Sequence, residues 1–147
     1  MKHTSAIHLA GRFVEKSNDY LRAALEKEGL ADIVPAYGDL FNELFRAPEG
    51  LSVTQLAERT NRTKSTVSVL SDKLVARGYL QKTRSSVDAR ASVLLLTEKG
   101  AALEPVFARI SIGLHERATR CLTDAEVRQL ERLLEKARQG FREDESA

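Results

Sequence analysis

A single cysteine, Cys121, is all the thiol chemistry that this 147-residue chain holds. It excludes an intramolecular disulfide and fits a reducing compartment, and on a chain that is never exported the Asn61-Arg62-Thr63 sequon has no role. There is no run of about 18 apolar residues, the length that would span a membrane. The N-terminus carries scattered polar residues (Lys2, His3, Thr4, Ser5) and no long apolar core, so the expectation is a cytoplasmic chain without a signal peptide or a membrane partner. No Gly-x-Ser-x-Gly elbow, phosphate loop or His-Glu-x-x-His is present. The three histidines, His3, His8 and His115, show no ligand spacing, and only His8 and His115 remain as a pair that folding would have to bring together. The expectation is therefore no enzyme, no cofactor and no metal. Internal repeats and low-complexity segments are also lacking.

What is present is an ordinary globular composition, 42% apolar and 30% charged with a net charge of +2. A chain of this length forms one domain and buries about two thirds of its unfolded surface.

The most informative stretch runs from Leu51 to Leu96. Ser52 followed by Gln55 is a capping box flanked by Leu51 and Leu56 at the staple positions, so a short helix begins at Val53 and ends near Thr60 and Asn61. Thr63 caps a second helix, whose apolar residues Val67, Leu70 and Leu74 recur at helical spacing, and Gly78 closes it. Two helices about three residues apart have the spacing of a helix-turn-helix. Charge concentrates there. Residues 59–90 hold eight Lys or Arg (59, 62, 64, 73, 77, 82, 84, 90) against Asp72 and Asp88, a net +6, while the rest of the chain is at −4. A phosphate-binding face gathers charge in this way, because each neutralised phosphate releases counterions.

Around this stretch, Ile7, Ala10, Val14, Leu21 and Leu25 lie on one stripe of a helix over about 5–28. Pro35 starts another helix, with Tyr37, Leu40, Phe41, Leu44 and Phe45 on a broad apolar face, that stops before Pro48-Glu49-Gly50. Tyr79 to Thr83 and Ser92 to Leu96 are short strand candidates around a polar hairpin tip, Arg84 to Ala91. Thr97 caps a helix carrying Leu103, Val106, Phe107, Ile110, Leu114 and Ala118, in which Pro105 implies a bend or a late start. Thr123 and Glu126 form a second capping box, with Leu122 and Val127 at its staple positions. The helix that follows sets Val127, Leu130, Leu134, Ala137 and Phe141 on a heptad seam, suited to contact between two chains or to packing on the chain's own core. The fold class expected is mainly α with a small β-hairpin. A winged helix-turn-helix lobe over about 35–96 would join a dimerisation platform from helices over about 5–28 and 98–142.

This order of elements resembles the MarR family of bacterial transcription regulators over nearly the whole chain. The residues that carry the resemblance are Ser65-Thr66-Val67-Ser68, then Asp72, Lys73, Leu74, Gly78 and Tyr79-Leu80, then Asp88-Ala89-Arg90, then Leu96-Thr97-Glu98-Lys99-Gly100. The Asp-x-Arg pair and the Leu-Thr-x-x-Gly that follows it are the family's best-known marks. The resemblance implies a homodimer that binds pseudo-palindromic operators in double-stranded DNA as a repressor or activator, often released by a small aromatic ligand. It also implies a ligand cavity lined by the first two helices, with Arg12, Phe13, Tyr37 and Phe41 as candidates and the arginine hinting at an anionic effector.

On a helical wheel Thr63, Val67, Leu70 and Leu74 share the expected buried face, leaving Ser65, Ser68, Val69, Asp72 and Ala76 outward. Ser65 and Ser68, flanked by Lys64 and Thr66, have the reach to meet a base edge or a phosphate. Proteins similar to this one frequently carry an arginine at the position of Val69, which offers only an apolar contact such as to a thymine methyl. Arg90 is the residue expected to enter a narrow minor groove, oriented by Asp88, the alternative being a pairing of Arg90 with Asp72. Arg62, Lys64, Lys82 and Arg84 are expected at phosphates, with Thr63 and Lys73 also on the DNA-facing helix. Two other readings stay open. One is a redox regulator acting through Cys121, beside Arg117 and Arg120; the other is a winged helix that binds protein and not DNA.

Overall fold

A computed structural model describes residues 5–84 and 92–145, with side chains described through Arg142. The chain divides into two units, Met1–Ile110 and Ser111–Ala147. The first contains α1 (Ala6–Lys27), α2 (Pro35–Phe45), α3 (Val53–Thr60), α4 (Lys64–Ala76), β1 (Leu80–Arg84), β2 (Ser92–Leu96), α5 (Glu98–Ala101) and the start of α6 (Glu104–Thr119). The second contains the end of α6 and α7 (Asp124–Glu145).

The helix boundaries follow from local chemistry. Pro35 stands at the first turn of α2, where its missing N–H costs nothing. The capping box of α3 is closed in both directions, with Gln55 N donating to Ser52 Oγ at 3.1 Å and Ser52 N donating to Gln55 Oε1 at 2.9 Å. Thr63 accepts from Thr66 N at 3.2 Å and begins α4, which ends before Gly78 at φ +83°. Thr97 caps only the four-residue α5. Pro105 then falls in the first turn of a separate α6, so the late start expected from that proline is what occurs.

β1 and β2 pair antiparallel from Leu80↔Leu96 to Arg84↔Ser92, with β1 starting one residue later than the spacing suggested. Leu51 adds a bridge to Leu94, its N–H donating to the Leu94 carbonyl at 3.0 Å and its own carbonyl accepting from Leu94 N at 2.8 Å. Leu51 thus ties the entry to α3 onto the hairpin, a role beyond that of a staple. Gly50 is obligatory beside it. Its φ is +92°, and a Cβ there would meet the Leu94 carbonyl and the Leu95 side chain.

The core of the first unit is aromatic at its centre. Phe41 is fully buried and packs on Phe45 (5.9 Å between ring centroids), Tyr79 (5.8 Å) and Phe107 (5.1 Å), the last two edge-on. Leu40, Leu44, Leu56, Val67, Leu74 and Leu94 close around them. Phe107 and Ile110 are buried with this core, in the unit that runs on to Ile110. In the second unit α7 begins at the expected capping box, Glu126 N donating to Thr123 Oγ1 at 3.2 Å and Thr123 N donating to Glu126 Oε1 at 3.0 Å. None of its described residues is buried, and Leu130, Leu133, Leu134 and Phe141 are exposed. Among the described residues, no helix is long and apolar enough to cross a membrane.

Candidate nucleic-acid interface

Three residues connect α3 to α4. Asn61 takes the left-handed conformation (φ 53°, ψ 45°), a geometry asparagine tolerates better than most residues, and Arg62 N returns to the Ala57 carbonyl at 3.0 Å. Leu56 and Ala57 of α3 and Val67, Ser71 and Leu74 of α4 are buried between the pair. Ser71 was missed by apolar spacing because it is polar. Its hydroxyl donates to the Val67 carbonyl at 2.7 Å and lies near the Ser68 carbonyl at 3.1 Å, so it enters the core with its hydrogen bond made inside the helix. Thr63, expected on the buried face, is instead exposed, because its side chain is turned to the helix end as a cap.

The outward face of α4 carries Lys64, Ser65, Thr66, Val69, Asp72 and Lys73 exposed, with Ser68 half-buried. At its start three hydroxyls converge: Thr63 Oγ1 lies 2.8 Å from Thr66 Oγ1 and 3.1 Å from Ser65 Oγ. Ser65, Thr66, Val69 and Leu70 border an open hollow of about 280 Å³. Lys64 and Lys73 have no ion-pair partner among the described residues, and both stand on this face.

Several of the other cations are held within the chain. Arg62 Nη2 donates to Asp39 Oδ2 of α2 at 2.9 Å, and its Nε is buried with no hydrogen-bond partner among the described residues. Arg59 lies 3.8 Å from Glu43, whose other oxygen is 3.4 Å from Arg46. The carboxylates of α2 thus brace the cations of the turn, and Arg62, expected at a phosphate, is engaged at home. Arg77, though exposed, is held within the chain: its Nη1 donates to the Asp32 carbonyl at 2.7 Å and its guanidinium lies over the Tyr37 ring. Lys99 donates to the Arg77 carbonyl at 2.8 Å and sits 4.3 Å above the Tyr79 ring, while Tyr79 OH donates to Asp32 Oδ2 at 3.3 Å. Burial, and then the Asp32 carboxylate, push the Tyr79 hydroxyl above its ordinary pKa. This cluster fixes the end of α4 to α5 and to the loop ahead of α2. The stretch Leu96-Thr97-Glu98-Lys99-Gly100 acts in it through Thr97, whose hydroxyl donates to the Gly78 carbonyl at 2.5 Å, and through Lys99.

In the hairpin, Lys82 Nζ lies 3.7 Å from Asp72 Oδ1 and ties β1 to α4. Arg84 ends β1, exposed. Asp88 and Arg90 lie outside the described residues.

The candidate ligand residues divide between the core and the surface. Phe41 and Tyr37 are core side chains, 0% and 4% exposed: Phe41 of α2 packs on Tyr79 and Phe107, and the Tyr37 ring lies under the Arg77 guanidinium. Arg12 and Phe13 are exposed on α1. Cys121 is exposed in the turn between α6 and α7. Among the described residues, no three His, Cys, Asp or Glu side chains stand close enough to hold a metal ion.

Residues 31–91 match a family model described as the MarR family. A stretch of 55 residues is 40% identical to the uncharacterized HTH-type transcriptional regulator YhjH of Bacillus subtilis, and covers 37% of this chain and 31% of that one. This chain therefore aligns with less than a third of that relative's length. Among solved structures, MepR of S. aureus in complex with DNA superposes with a TM-score of 0.83 at 22% identity, over 92% of this chain and 98% of that one. A mutant of E. coli MarR complexed with operator DNA gives 0.78 at 25% identity, over 88% and 91%. With the helix pair, the hairpin and the Leu51 bridge already in place, these matches show that residues 31–91 are similar to the MarR family and that the chain shares the winged helix-turn-helix fold of MepR and MarR.

Proposed function

We propose that this protein is a homodimeric, sequence-specific DNA-binding repressor of pseudo-palindromic operators, working in the cytoplasm and released by a small aromatic or anionic ligand. The observation that carries the reading is the outward face of α4, where Lys64, Ser65, Thr66, Val69 and Lys73 stand exposed on a helix whose other face is locked into the core. Such a helix presents its N-terminal half to base edges while lysines and the helix end attract phosphate. MepR and MarR, the structural relatives above, were both determined with DNA.

Dimerisation is supported by geometry and by exposed apolar surface. One lobe covers too little duplex for specific binding, whereas two recognition helices about 34–36 Å apart read successive major grooves. Leu130, Leu134 and Phe141 repeat at heptad spacing on α7 with 37%, 49% and 70% exposure, and Ile7 and Val14 of α1 are also exposed. These faces are suited to a second copy of the chain. Arg12 and Phe13 on α1 are a cation and an aromatic ring open to an anionic aromatic ligand.

The test takes the full chain through sedimentation and through a fluorescence-anisotropy titration with duplexes selected from genomic fragments. A dimer that binds a subset of fragments, and that Leu134→Glu turns into a monomer with weakened binding, supports the reading. A monomer, or indifference to all fragments at low salt, overturns it. Aromatic carboxylates added to the complex test release, and repeating the release with peroxide on Cys121→Ser separates a thiol switch from a ligand switch.

A further inference from the structure

The outward face of α4 also says which feature of a base pair it is made to read. We infer that Val69 recognises the C5 methyl group of a thymine in the major groove, an inference that rests on the DNA-binding reading above. Val69 is 55% exposed in the middle of the face, between Lys64 and Lys73, where it does not serve the core. It borders the hollow shared with Ser65, Thr66 and Leu70. On that hollow's N-terminal side the hydroxyls of Ser65 and Thr66 are drawn towards Thr63 Oγ1, which lies 3.1 and 2.8 Å from them. The lining of the hollow is mostly apolar, and Val69 and Leu70 are its aliphatic residues.

In the major groove the edges of guanine and adenine present hydrogen-bonding groups, cytosine presents an amino group, and only thymine adds an apolar group. A donor or acceptor pressed against Val69 would lose water and gain no partner. A methyl group loses nothing there. The flanking lysines supply the phosphate attraction that holds the face in the groove without choosing a base. Burying one methyl is expected to change affinity about fourfold per half-site, and about fifteenfold when both halves of a symmetric site are altered.

The experiment uses the full-length chain and a duplex that it selects from a randomised library made with thymidine. That duplex is resynthesised with 2′-deoxyuridine replacing each thymidine in turn, which removes the methyl and leaves every hydrogen-bonding group in place. Anisotropy titrations at fixed salt should show one position per half-site weakened about fourfold for the natural chain and unchanged for Val69→Ala. Because Val69 is exposed, Val69→Ala should keep its circular dichroism; Val69→Arg in a repeat selection should move the preferred base at that position to guanine. If uridine is tolerated at every position, or Val69→Ala is as sensitive as the natural chain, the inference is overturned and DNA binding stands. If the library yields no bound duplex, the DNA-binding reading is overturned and this inference with it.

Discussion

Two glycines in the first unit have different reasons to be glycine, and the difference sets the cost of replacing them. Gly50 needs its positive φ and its closeness to Leu94, whereas Gly100 sits in α5, where a Cβ would collide with the Tyr79 carbonyl and press on Leu96. At Gly100 the obstacle is backbone, which yields less readily than a side chain. Gly100→Ala should therefore lower the unfolding free energy by about 1–3 kcal/mol, measured as a fall in the urea midpoint, even though alanine is the better helix former. An unchanged midpoint would mean that α5 and the Tyr79 segment are not pressed together as described. The same part of the chain shows how charge was assigned. Arg77 and Arg62 count equally in a tally of basic residues, yet one lies over Tyr37 and the other is paired with Asp39. Neither partner is close in sequence, so no local pattern announces the pairing.

At the scale of elements, the most informative residues are the caps. Ser52→Ala removes half of the box that starts α3 and should cost about 1 kcal/mol by denaturant titration. The loss should fall on the brace beneath α4, with the outward face left chemically intact. The box at α7 titrates. Hydrogen bonds from the Thr123 backbone and side chain hold the Glu126 carboxyl below its ordinary value of 4.5. A carboxylate lowered in the folded state contributes stability that is present above its ordinary pKa and is lost as pH falls through the lowered one. The Thr123 amide resonance should therefore shift in acid below about pH 4.5, and in Glu126→Gln it should not. Identical titrations of the two proteins would remove the capping bond from the account.

The caps are also why so much of the fold was legible in the sequence. Ser52 with Gln55, Thr63, Thr97, and Thr123 with Glu126 are signals three residues wide, and each starts a helix where expected. What escaped were relations between distant residues. The Leu51 bridge to Leu94 joins positions 43 residues apart and leaves no periodic trace. The family resemblance places Phe41 and Tyr37 beside a cavity, and their burial comes partly from distant residues: Phe41 packs on Tyr79 and Phe107, and Tyr37 lies beneath Arg77, all far along the chain. Ser71 was passed over because spacing counts only apolar residues, and a serine bonded within its own helix enters a core unnoticed. The outward hydroxyls of α4 were legible, and their convergence on Thr63 was not.

For the whole molecule, a net charge of +2 hides an uneven distribution, +6 over residues 59–90 against −4 elsewhere. The folded chain spends part of that excess internally, with Arg59, Arg62, Arg77 and Lys82 all holding partners in the first unit. Lys64 and Lys73 remain on the α4 face without an ion-pair partner among the described residues. If the account is right, affinity for DNA depends on these exposed cations more than on the total. The decisive measurement is the dissociation constant of the full chain for its selected duplex between about 50 and 200 mM salt, for the natural protein and for Lys64→Gln. The account predicts a steep linear fall of log affinity with log salt, with the slope reduced by about 1 per half-site in Lys64→Gln. A flat salt response, or a slope that Lys64→Gln leaves unchanged, would contradict it.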